Sequence, residues 1–343
     1  MKKISIVFLI LLLAGGLLLN FSGETAAASE YNIRLSHQVP EDSPQDLYAQ
    51  YFKEAVEDLT DGQITVDIFI ANQLGAPISV LESLETGDIE MAVINTGSSA
   101  SYIRELAIFN IHTLLPGDMS QVEEIFASRF ITAMVEDIEA DSNLKYVGAF
   151  SEPHFQITAN KPIRYPEDLE GLDIRTMESP ILMAPYQELG ANPTPIAFDE
   201  LYTSLQLGMV DAQENPYDII RDMSYFEVQD YLITTYHGNP VNFAWISQPF
   251  FDQLSEDLQQ AVMEAGQIAE EKTFAQIPIV AEESKERLIE EGMEVIEPDD
   301  SLREAFVEVR PYAEARYVDF VGERGVIYLD VLEEVIAELG FDS

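Results

Sequence analysis

The sequence predicts an α/β fold built from two lobes. Short apolar strands alternate with amphipathic helices along the chain, an order typical of a mostly parallel sheet with helices on its faces. The pattern restarts near Asn160, and 343 residues are enough for more than one hydrophobic core. No linker rich in Pro, Gly or Ser divides the chain, so we expect hinge segments at which it crosses between the lobes more than once.

The first half of the chain predicts three strands separated by two helices. Apolar and polar side chains alternate in residues 31–36 and again in 63–70, as they do in half-buried strands. Ser43 and Pro44 begin a helix with apolar residues at i, i+3 and i+4, and Asp61-Gly62 ends it. Residues 77–85 predict a second helix, ended by Gly87, and residues 89–94 a third strand.

The second half repeats this order and ends in helices. Ser179-Pro180 begins a helix, and Pro185 within it is expected to kink or split that helix. The remaining predicted elements are strands 172–176, 210–213, 241–247 and 293–296, an extended segment 193–198, helices 200–207 and 255–291, and a mainly helical region 302–339.

Two segments of the chain echo each other. Residues 83–90 read Ser-Leu-Glu-Thr-Gly-Asp-Ile-Glu, and residues 204–211 read Ser-Leu-Gln-Leu-Gly-Met-Val-Asp. Each is a helix end, a glycine stop and the start of an apolar–acidic strand. Coincidence is the alternative, since glycine commonly ends helices, but the equal spacing favours two lobes of similar construction.

The N-terminus predicts a secretory signal over residues 1–28, cleaved near Ala28. Lys2 and Lys3 precede an apolar run at 4–19, and Ala26-Ala27-Ala28 supplies small residues for cleavage. A membrane anchor is the alternative, but a spanning helix needs ~20 apolar residues and this run contains Gly15 and Gly16. No second run of that length follows. We therefore expect an exported protein that does not insert into the membrane after processing.

The charge balance excludes several classes of partner. The chain has 18 Lys and Arg against 62 Asp and Glu, a net charge of −44, dispersed along a chain of ordinary hydrophobic content. Such a surface repels nucleic acid and anionic lipid. The absence of Cys excludes disulfides, thiolate catalysis and Cys-ligated metals. A salt-rich habitat, where screening relieves self-repulsion, is a hypothesis that this charge suggests.

Enzyme signatures are missing from the sequence. It has no G-x-G-x-x-G, P-loop, G-x-S-x-G or H-E-x-x-H motif. The four histidines, at 37, 112, 154 and 237, lie far apart and have no local zinc-ligand spacing. We therefore expect neither catalysis nor a cofactor nor a metal, although dispersed carboxylates leave an acid–base pair open.

Arg175 and Asn215 are the candidate ligand-binding residues. Arg175 ends an apolar strand in a chain with few basic residues, and ligands of open α/β sheets collect at the carboxyl ends of strands. Its guanidinium can hold a carboxylate through two parallel hydrogen bonds, although a structural ion pair is equally compatible with its position. Asn215 also follows a strand and can donate and accept, but a turn residue before Pro216 is the simpler interpretation.

The residues around these two positions resemble the DctP-type solute-binding proteins of TRAP transporters. The resemblance runs from Tyr31 almost to the end of the chain. Its most specific segments are Gly171-Leu172-Asp173-Ile174-Arg175, residues 190–202 (Gly-Ala-Asn-Pro-Thr-Pro-Ile-Ala-Phe-Asp-Glu-Leu-Tyr) and residues 208–216 (Gly-Met-Val-Asp-Ala-Gln-Glu-Asn-Pro), with further likeness at Asn72-Gln73-Leu74-Gly75 and Phe226-Glu227-Val228-Gln229.

The resemblance implies a periplasmic-binding-protein-like fold with mixed sheets, hinge strands and a long helix spanning both lobes. The boundaries it suggests are lobe I at 29–152 plus 241–280 and lobe II at 153–240 plus 281–343. It implies a periplasmic protein that passes a small carboxylate to membrane subunits driven by a sodium or proton gradient. The ligand-binding residues it implies are Arg175, Asn215, Phe198, Glu214, Gln38 and Asn95.

One position departs from the family pattern. Many relatives have a second arginine about twenty residues before the first, whereas this chain has Phe155 there, beside His154. Phe155 is kept among the predicted site residues. The missing charge favours a monocarboxylate or a hydroxy or sugar acid over a C4-dicarboxylate, and the neutral Gln38 and Asn95 suit hydroxyl groups. A secreted enzyme or a sensor module on the same scaffold remains the alternative class.

Overall fold

A computed structural model describes residues 30–341, and its two mixed sheets flanked by helices confirm the predicted fold class. The predicted signal segment, 1–28, lies outside the described residues. The strands are β1 Tyr31–His37, β2 Ile64–Phe69, β3 Met91–Asn95, β4 Leu144–Ser151, β5 Gln156–Ala159, β6 Asp173–Thr176, β7 Asn192–Pro195, β8 Ala212–Asn215, β9 Tyr231–Ile233, β10 Val241–Ser247 and β11 Glu294–Ile296.

Helices cover both sheets. They are α1 Pro44–Leu59, α2 Pro77–Thr86, α3 Thr96–Ser99, α4 Met119–Phe126, α5 Arg129–Asp141, α6 Pro180–Glu188, α7 Leu201–Gln206, α8 Tyr217–Asp222, α9 Gln248–Phe251, α10 Glu256–Glu290, α11 Asp300–Val321 and α12 Glu323–Leu339. Short 3₁₀ segments lie at Arg104–Asn110, Pro166–Leu169, Phe198–Glu200 and Tyr225–Glu227. None of the helices within residues 30–341 is long and apolar enough to cross a membrane.

The first sheet has the order β2-β1-β3-β10-β4, with β1, β2 and β3 parallel and β10 antiparallel to both of its neighbours. Its helices begin where the sequence predicted. The Ser43 side chain accepts a hydrogen bond from the Asp46 amide and caps α1, and Gly87 ends α2 with a left-handed φ of 81°. The parallel arrangement brings the ends of β1 and β3 to one edge of the sheet.

The second sheet has the order β11-β9-β5-β8-β6-β7. Strand β6 lies between β8 and β7 and is parallel to both, with Arg175 opposite Gln213 on one side and Thr194 on the other. The strand predicted at 210–213 is observed two residues later, as β8. Its register is set by pairing with β5, in which Gln156 faces Asn215. Asn215 is therefore the last residue of the strand and not the turn that follows it.

Two strand connections and one helix join the sheets. Residues 152–155 link β4 to β5, and residues 234–240 link β9 to β10; we call them the crossing segments. They run side by side, because the Glu152 amide donates to Pro240 O at 2.8 Å and the Phe155 amide to Gly238 O at 2.8 Å. Helix α10 has 35 residues, about 52 Å of helix, and packs on α1 and β4 at one end and on α8 at the other.

The prolines and one glycine inside the helices have separate consequences. Pro185 does not split α6, which continues to Glu188; the expected break is absent, because a proline removes only one backbone donor from so short a helix. Pro278 likewise lies within α10. Gly266 lets α10 approach β4, since an added Cβ would overlap the Val147 carbonyl oxygen.

The C-terminal region forms two helices that meet at Gly322, which has φ of 87°. Tyr328, Leu332 and Val335 of α12 are buried in the same apolar cluster as the first sheet. Phe306 of α11 belongs instead to a cluster under the second sheet. The sequence-based lobe boundaries stay a prediction, and this packing suggests that α12 goes with lobe I.

Candidate functional site

A pocket lies between the two lobes, at the ends of β1, β3 and β8. It leaves about 280 Å³ of empty space, part of it open to solvent. The residues that line it are Gln38, Val39, Gln45, Asn95, Glu152, Phe155, Met177, Phe198, Asn215, Pro216, Ile219 and Pro240. Five of the predicted site residues lie in this lining: Gln38, Asn95, Phe155, Phe198 and Asn215. The predicted Arg175 and Glu214 are not part of it.

The cleft is narrow because the lobes are in contact. A Cβ added at Gly97 of α3 would lie 2.7 Å from the Met177 Cε atom across the cleft. The Asn110 amide donates to the Ser179 hydroxyl at 3.0 Å, and Val39 of the first lobe packs into an apolar cluster of the second. Residues 30–341 therefore show the lobes closed on each other.

The first-lobe wall consists of neutral amides. Gln38 follows β1, as predicted, and its buried Oε1 has no hydrogen-bond partner among residues 30–341. Asn95 is the last residue of β3 and its side chain accepts from the Gly97 amide at 2.8 Å, so it also caps α3. One amide is occupied by the fold, and the other keeps a free acceptor.

Arg175 is buried in β6, with 1% of its surface exposed. Its Nε donates to Ile196 O at 2.9 Å, and its Nη1 has no partner among the described residues. Burial lowers the pKa of Arg175, opposed by the charges of Tyr225, Glu214 and Glu178. The described chain contains no ion pair of Arg175, which disfavours the structural ion pair that its position also allowed.

The neighbours of Arg175 reach the pocket. Met177, the residue directly after β6, and Asn215, on the adjacent strand β8, both line it. The Asn215 side chain donates to Gln213 Oε1, which fixes the orientation of its amide. Tyr225 contributes a second buried group, a hydroxyl without a partner in residues 30–341. The guanidinium thus lies next to residues that line the pocket, although Arg175 itself is not part of the lining.

Glu152 is a pocket residue that the sequence did not reveal. It is buried in the first crossing segment, and its Oε1 accepts from the Asn242 amide at 2.8 Å, while Gln45 donates to Asn242 at 2.8 Å. Burial raises the pKa of Glu152 to about 7, although hydrogen bonds from Asn242 and Gln45 oppose the shift. In a chain with 62 acidic residues, only its place directly after a strand and before Pro153 could have marked it.

Glu214 lies in a different environment from the one that the resemblance implied. It is fully buried behind the pocket with His112 and His237; we call these three residues the hinge cluster. Glu214 Oε2 lies 2.9 Å from His237 Nε2 and 3.2 Å from His112 Nε2, and it accepts from the Tyr186 hydroxyl at 2.8 Å.

The pKa values of Glu214 and His237 both lie below their ordinary values. Burial alone would raise the pKa of Glu214, but the charges of His112 and His237 and the hydrogen bond with His237 bring it below its usual range. Burial lowers the pKa of His237 to about 4. Phe155 separates the cluster from the pocket, since its ring lines the pocket and stacks on His237 with centroids 5.9 Å apart.

Two α/β lobes closed over a polar pocket define a solute-binding protein. Residues 35–316 match the sequence model of a protein family, the bacterial extracellular solute-binding proteins, family 7 (DctP). The chain is 35% identical to the ectoine-binding periplasmic protein TeaA of Halomonas elongata over 92% of both chains.

Solved structures agree with this match. A TRAP periplasmic solute-binding protein from Desulfovibrio salexigens with bound orotic acid superposes with a TM-score of 0.86 at 27% identity, covering 90% of this chain and 99% of the other. The ectoine-binding protein of the TeaABC TRAP transporter gives 0.85 at 32% identity, covering 90% and 99%. The chain belongs to the DctP family of bacterial extracellular solute-binding proteins, and both solved relatives are binding proteins of TRAP transporters. Members of this family are periplasmic solute-binding proteins and not enzymes.

Proposed function

We propose that the protein binds one small monocarboxylate between its lobes, with Arg175 and Asn215 holding the carboxylate, and delivers it to the membrane subunits of a TRAP transporter. The observation that carries this proposal is the buried Arg175 Nη1 without a partner in residues 30–341. A buried cation with a free donor is costly, and a ligand carboxylate would supply both the countercharge and the acceptor.

The other end of the ligand meets no positive charge. The residues lining the pocket include no Lys or Arg, and they do include Glu152. A second carboxylate would approach Glu152 and would be disfavoured by repulsion or by the cost of protonation. This supports a monocarboxylate over a C4-dicarboxylate. Phe198 and Met177 offer apolar contact to the ligand body, while Gln38 and Glu152 would accept hydrogen bonds from hydroxyl or N–H groups and the Asn95 side-chain NH₂ would donate to hydroxyl oxygens.

Two of the relatives support the same ligand class. One binds ectoine and another was crystallised with orotic acid, and each of these compounds carries a single carboxyl group. An amino-terminal signal cleaved near Ala28 would send this chain to the periplasm, where such a ligand is collected. We infer that the ligand leaves unchanged, because the pocket serves binding and closure. Recovery of intact ligand in a one-to-one ratio tests this, and its chemical conversion would support an enzyme.

The decisive experiment is a comparison of Arg175→Ala with wild type. Ligand released from the purified protein is identified by mass spectrometry, and its affinity is measured by calorimetry. Losing a buried charged contact costs ~2–5 kcal/mol, so we expect affinity to fall about 30-fold to several thousand-fold. Arg164→Ala, which removes an exposed arginine of the same lobe, is the control. Near wild-type affinity in Arg175→Ala would remove Arg175 from the site.

A further inference from the structure

The hinge cluster joins three separate segments of the chain. His112 follows the 3₁₀ segment Arg104–Asn110 of the first lobe, Glu214 lies in β8 of the second, and His237 lies in the second crossing segment. All three are at most 2% exposed in residue or side-chain surface. One ligand atom from each lies within 4.8 Å of the others. The amide of Thr113 donates to His237 O at 2.9 Å, so the segments are also tied by their backbones.

The spacing of these atoms fits coordination to a common centre. Zinc binds imidazole nitrogen and carboxylate oxygen at about 2.0–2.2 Å, which places neighbouring ligands of a tetrahedron about 3.3 Å apart. The observed separations are 2.9 Å from Glu214 Oε2 to His237 Nε2 and 3.2 Å to His112 Nε2. The Tyr186 hydroxyl lies 2.8 Å from the same oxygen and 3.1 Å from His237 Nε2, in the place of a fourth neighbour.

Several atoms of the cluster lack the alignment of a hydrogen-bonded network. His112 Nε2 is close to Glu214 Oε2, yet neither of its ring nitrogens has a hydrogen-bond partner among residues 30–341. Glu214 Oε1 is also without a partner there. Because the ligands of a metal ion point at the ion and not at each other, they lie close together without the geometry of a hydrogen bond, as His112 and Glu214 do here.

The outer surroundings match those of a metal-binding histidine. The Thr235 hydroxyl lies 2.6 Å from His237 Nδ1, on the side of the ring away from Glu214. Such a contact fixes the tautomer and the orientation of a metal-ligating imidazole, and leaves Nε2 free to coordinate. Two imidazoles and one carboxylate are the donor set that Zn²⁺ and its neighbours in the first transition row prefer.

We propose that His112, Glu214 and His237 bind one divalent transition-metal ion, of the Zn²⁺ class, that links the two lobes at their crossing. This site goes beyond the proposed function, and it does not depend on the identity of the carboxylate. The ion would join a first-lobe loop, a second-lobe strand and a crossing segment. It would therefore stabilise the folded chain without touching the ligand, from which Phe155 separates it.

Metal titration of the whole chain tests the proposal. Protein stripped with a chelator is titrated with Co²⁺ and Zn²⁺ at ~1 M salt, where screening over about 3 Å suppresses weak binding to the acidic surface. We expect one ion per chain, visible-band absorption of Co²⁺ typical of tetrahedral nitrogen and oxygen ligands, and a raised unfolding midpoint. His112→Ala, His237→Ala and Glu214→Gln should abolish all three signals.

Two further variants separate a metal site from a structural network. His37→Ala, which removes a buried histidine paired with Asp46 elsewhere in the first lobe, should keep full binding. Thr235→Val, which retains the side-chain shape, should weaken metal affinity about 10- to 100-fold. Absence of stoichiometric binding to the folded wild type, or equal binding by Glu214→Gln, would show a hydrogen-bonded network only and overturn the proposal. Carboxylate affinity is measured in a separate experiment, so failure of the metal proposal and failure of the proposed function can be told apart.

Discussion

The surroundings of Arg175 and Glu214 differ although the two residues lie on neighbouring strands. Both are fully buried, and they carry opposite charges. Glu214 Oε2 lies within 3.2 Å of His112 and His237, whereas Arg175 has one backbone partner, a free Nη1 and no ion pair among the described residues. A buried charge beside basic or acidic partners supplied by the fold belongs to the framework, and one that lacks a countercharge marks where a charged ligand completes the structure.

Replacing each charge in turn tests this contrast most strongly. Glu214→Ala removes the acceptor shared by Tyr186 and His237, and it takes a negative charge away from the buried Arg175. Breaking such an arrangement costs about 3–5 kcal/mol of unfolding free energy. Arg175→Ala should cost less in the absence of ligand, because its charge is not fully compensated. Urea unfolding of the ligand-free variants measures both losses, and a larger loss in Arg175→Ala would reverse the assignment of framework and site.

Glu152 and Glu270 extend the comparison to the pH dependence of stability. Burial raises the pKa of Glu152 and of Glu270 from 4.5 to about 7, so each carboxyl binds its proton more tightly in the folded chain. The stability that each contributes is therefore complete below about pH 4.5 and is lost as the pH rises through 7. The loss is at most about 3 kcal/mol per group.

Glu152→Gln and Glu270→Gln should both flatten this decline in urea unfolding. Only Glu152 lines the pocket, so only Glu152→Gln should also remove the fall in carboxylate affinity between pH 6 and 8, which we expect to be a few-fold. Ligand titrations across that range check this. If the two variants changed the ligand affinity equally, Glu152 would not be part of the binding site.

Gln38→Ala should have the smallest effect, because it tests how much one neutral, unpaired hydrogen-bond acceptor contributes to ligand affinity. Its Oε1 is buried and without a partner in residues 30–341, like the Arg175 Nη1, but it carries no charge. A neutral hydrogen bond contributes ~0.5–1.5 kcal/mol, so calorimetry should show a loss of roughly 2- to 10-fold. Gln267→Ala, on the exposed face of α10, is the control. If Gln38→Ala reduced the ligand affinity as much as Arg175→Ala does, Gln38 would contribute as much to binding as Arg175.

The sequence predicted the residues at strand ends better than those at crossings. Periodicity located β1 and β3, because alternation and helix stops are local properties. The choice of Gln38 and Asn95 came from the family resemblance, and the structure places both in the pocket lining at the ends of these strands. The start of β8 was misplaced by two residues, since pairing with β5 decides it. His112 and His237 come together only in the tertiary fold, 125 positions apart in the sequence, and no local spacing could indicate them.

Helix α10 also acts as a mechanical element. Its residues up to Phe274 pack in the first-lobe core, and from Ala281 onward they pack in a second-lobe cluster. Pro278 lies between these points. Because proline has no backbone N–H, the helix lacks one hydrogen bond there, and bending costs less free energy at this residue than elsewhere along the helix. A movement of the lobes apart would have to bend this continuous helix between Phe274 and Ala281. The helix therefore couples the position of one lobe to that of the other.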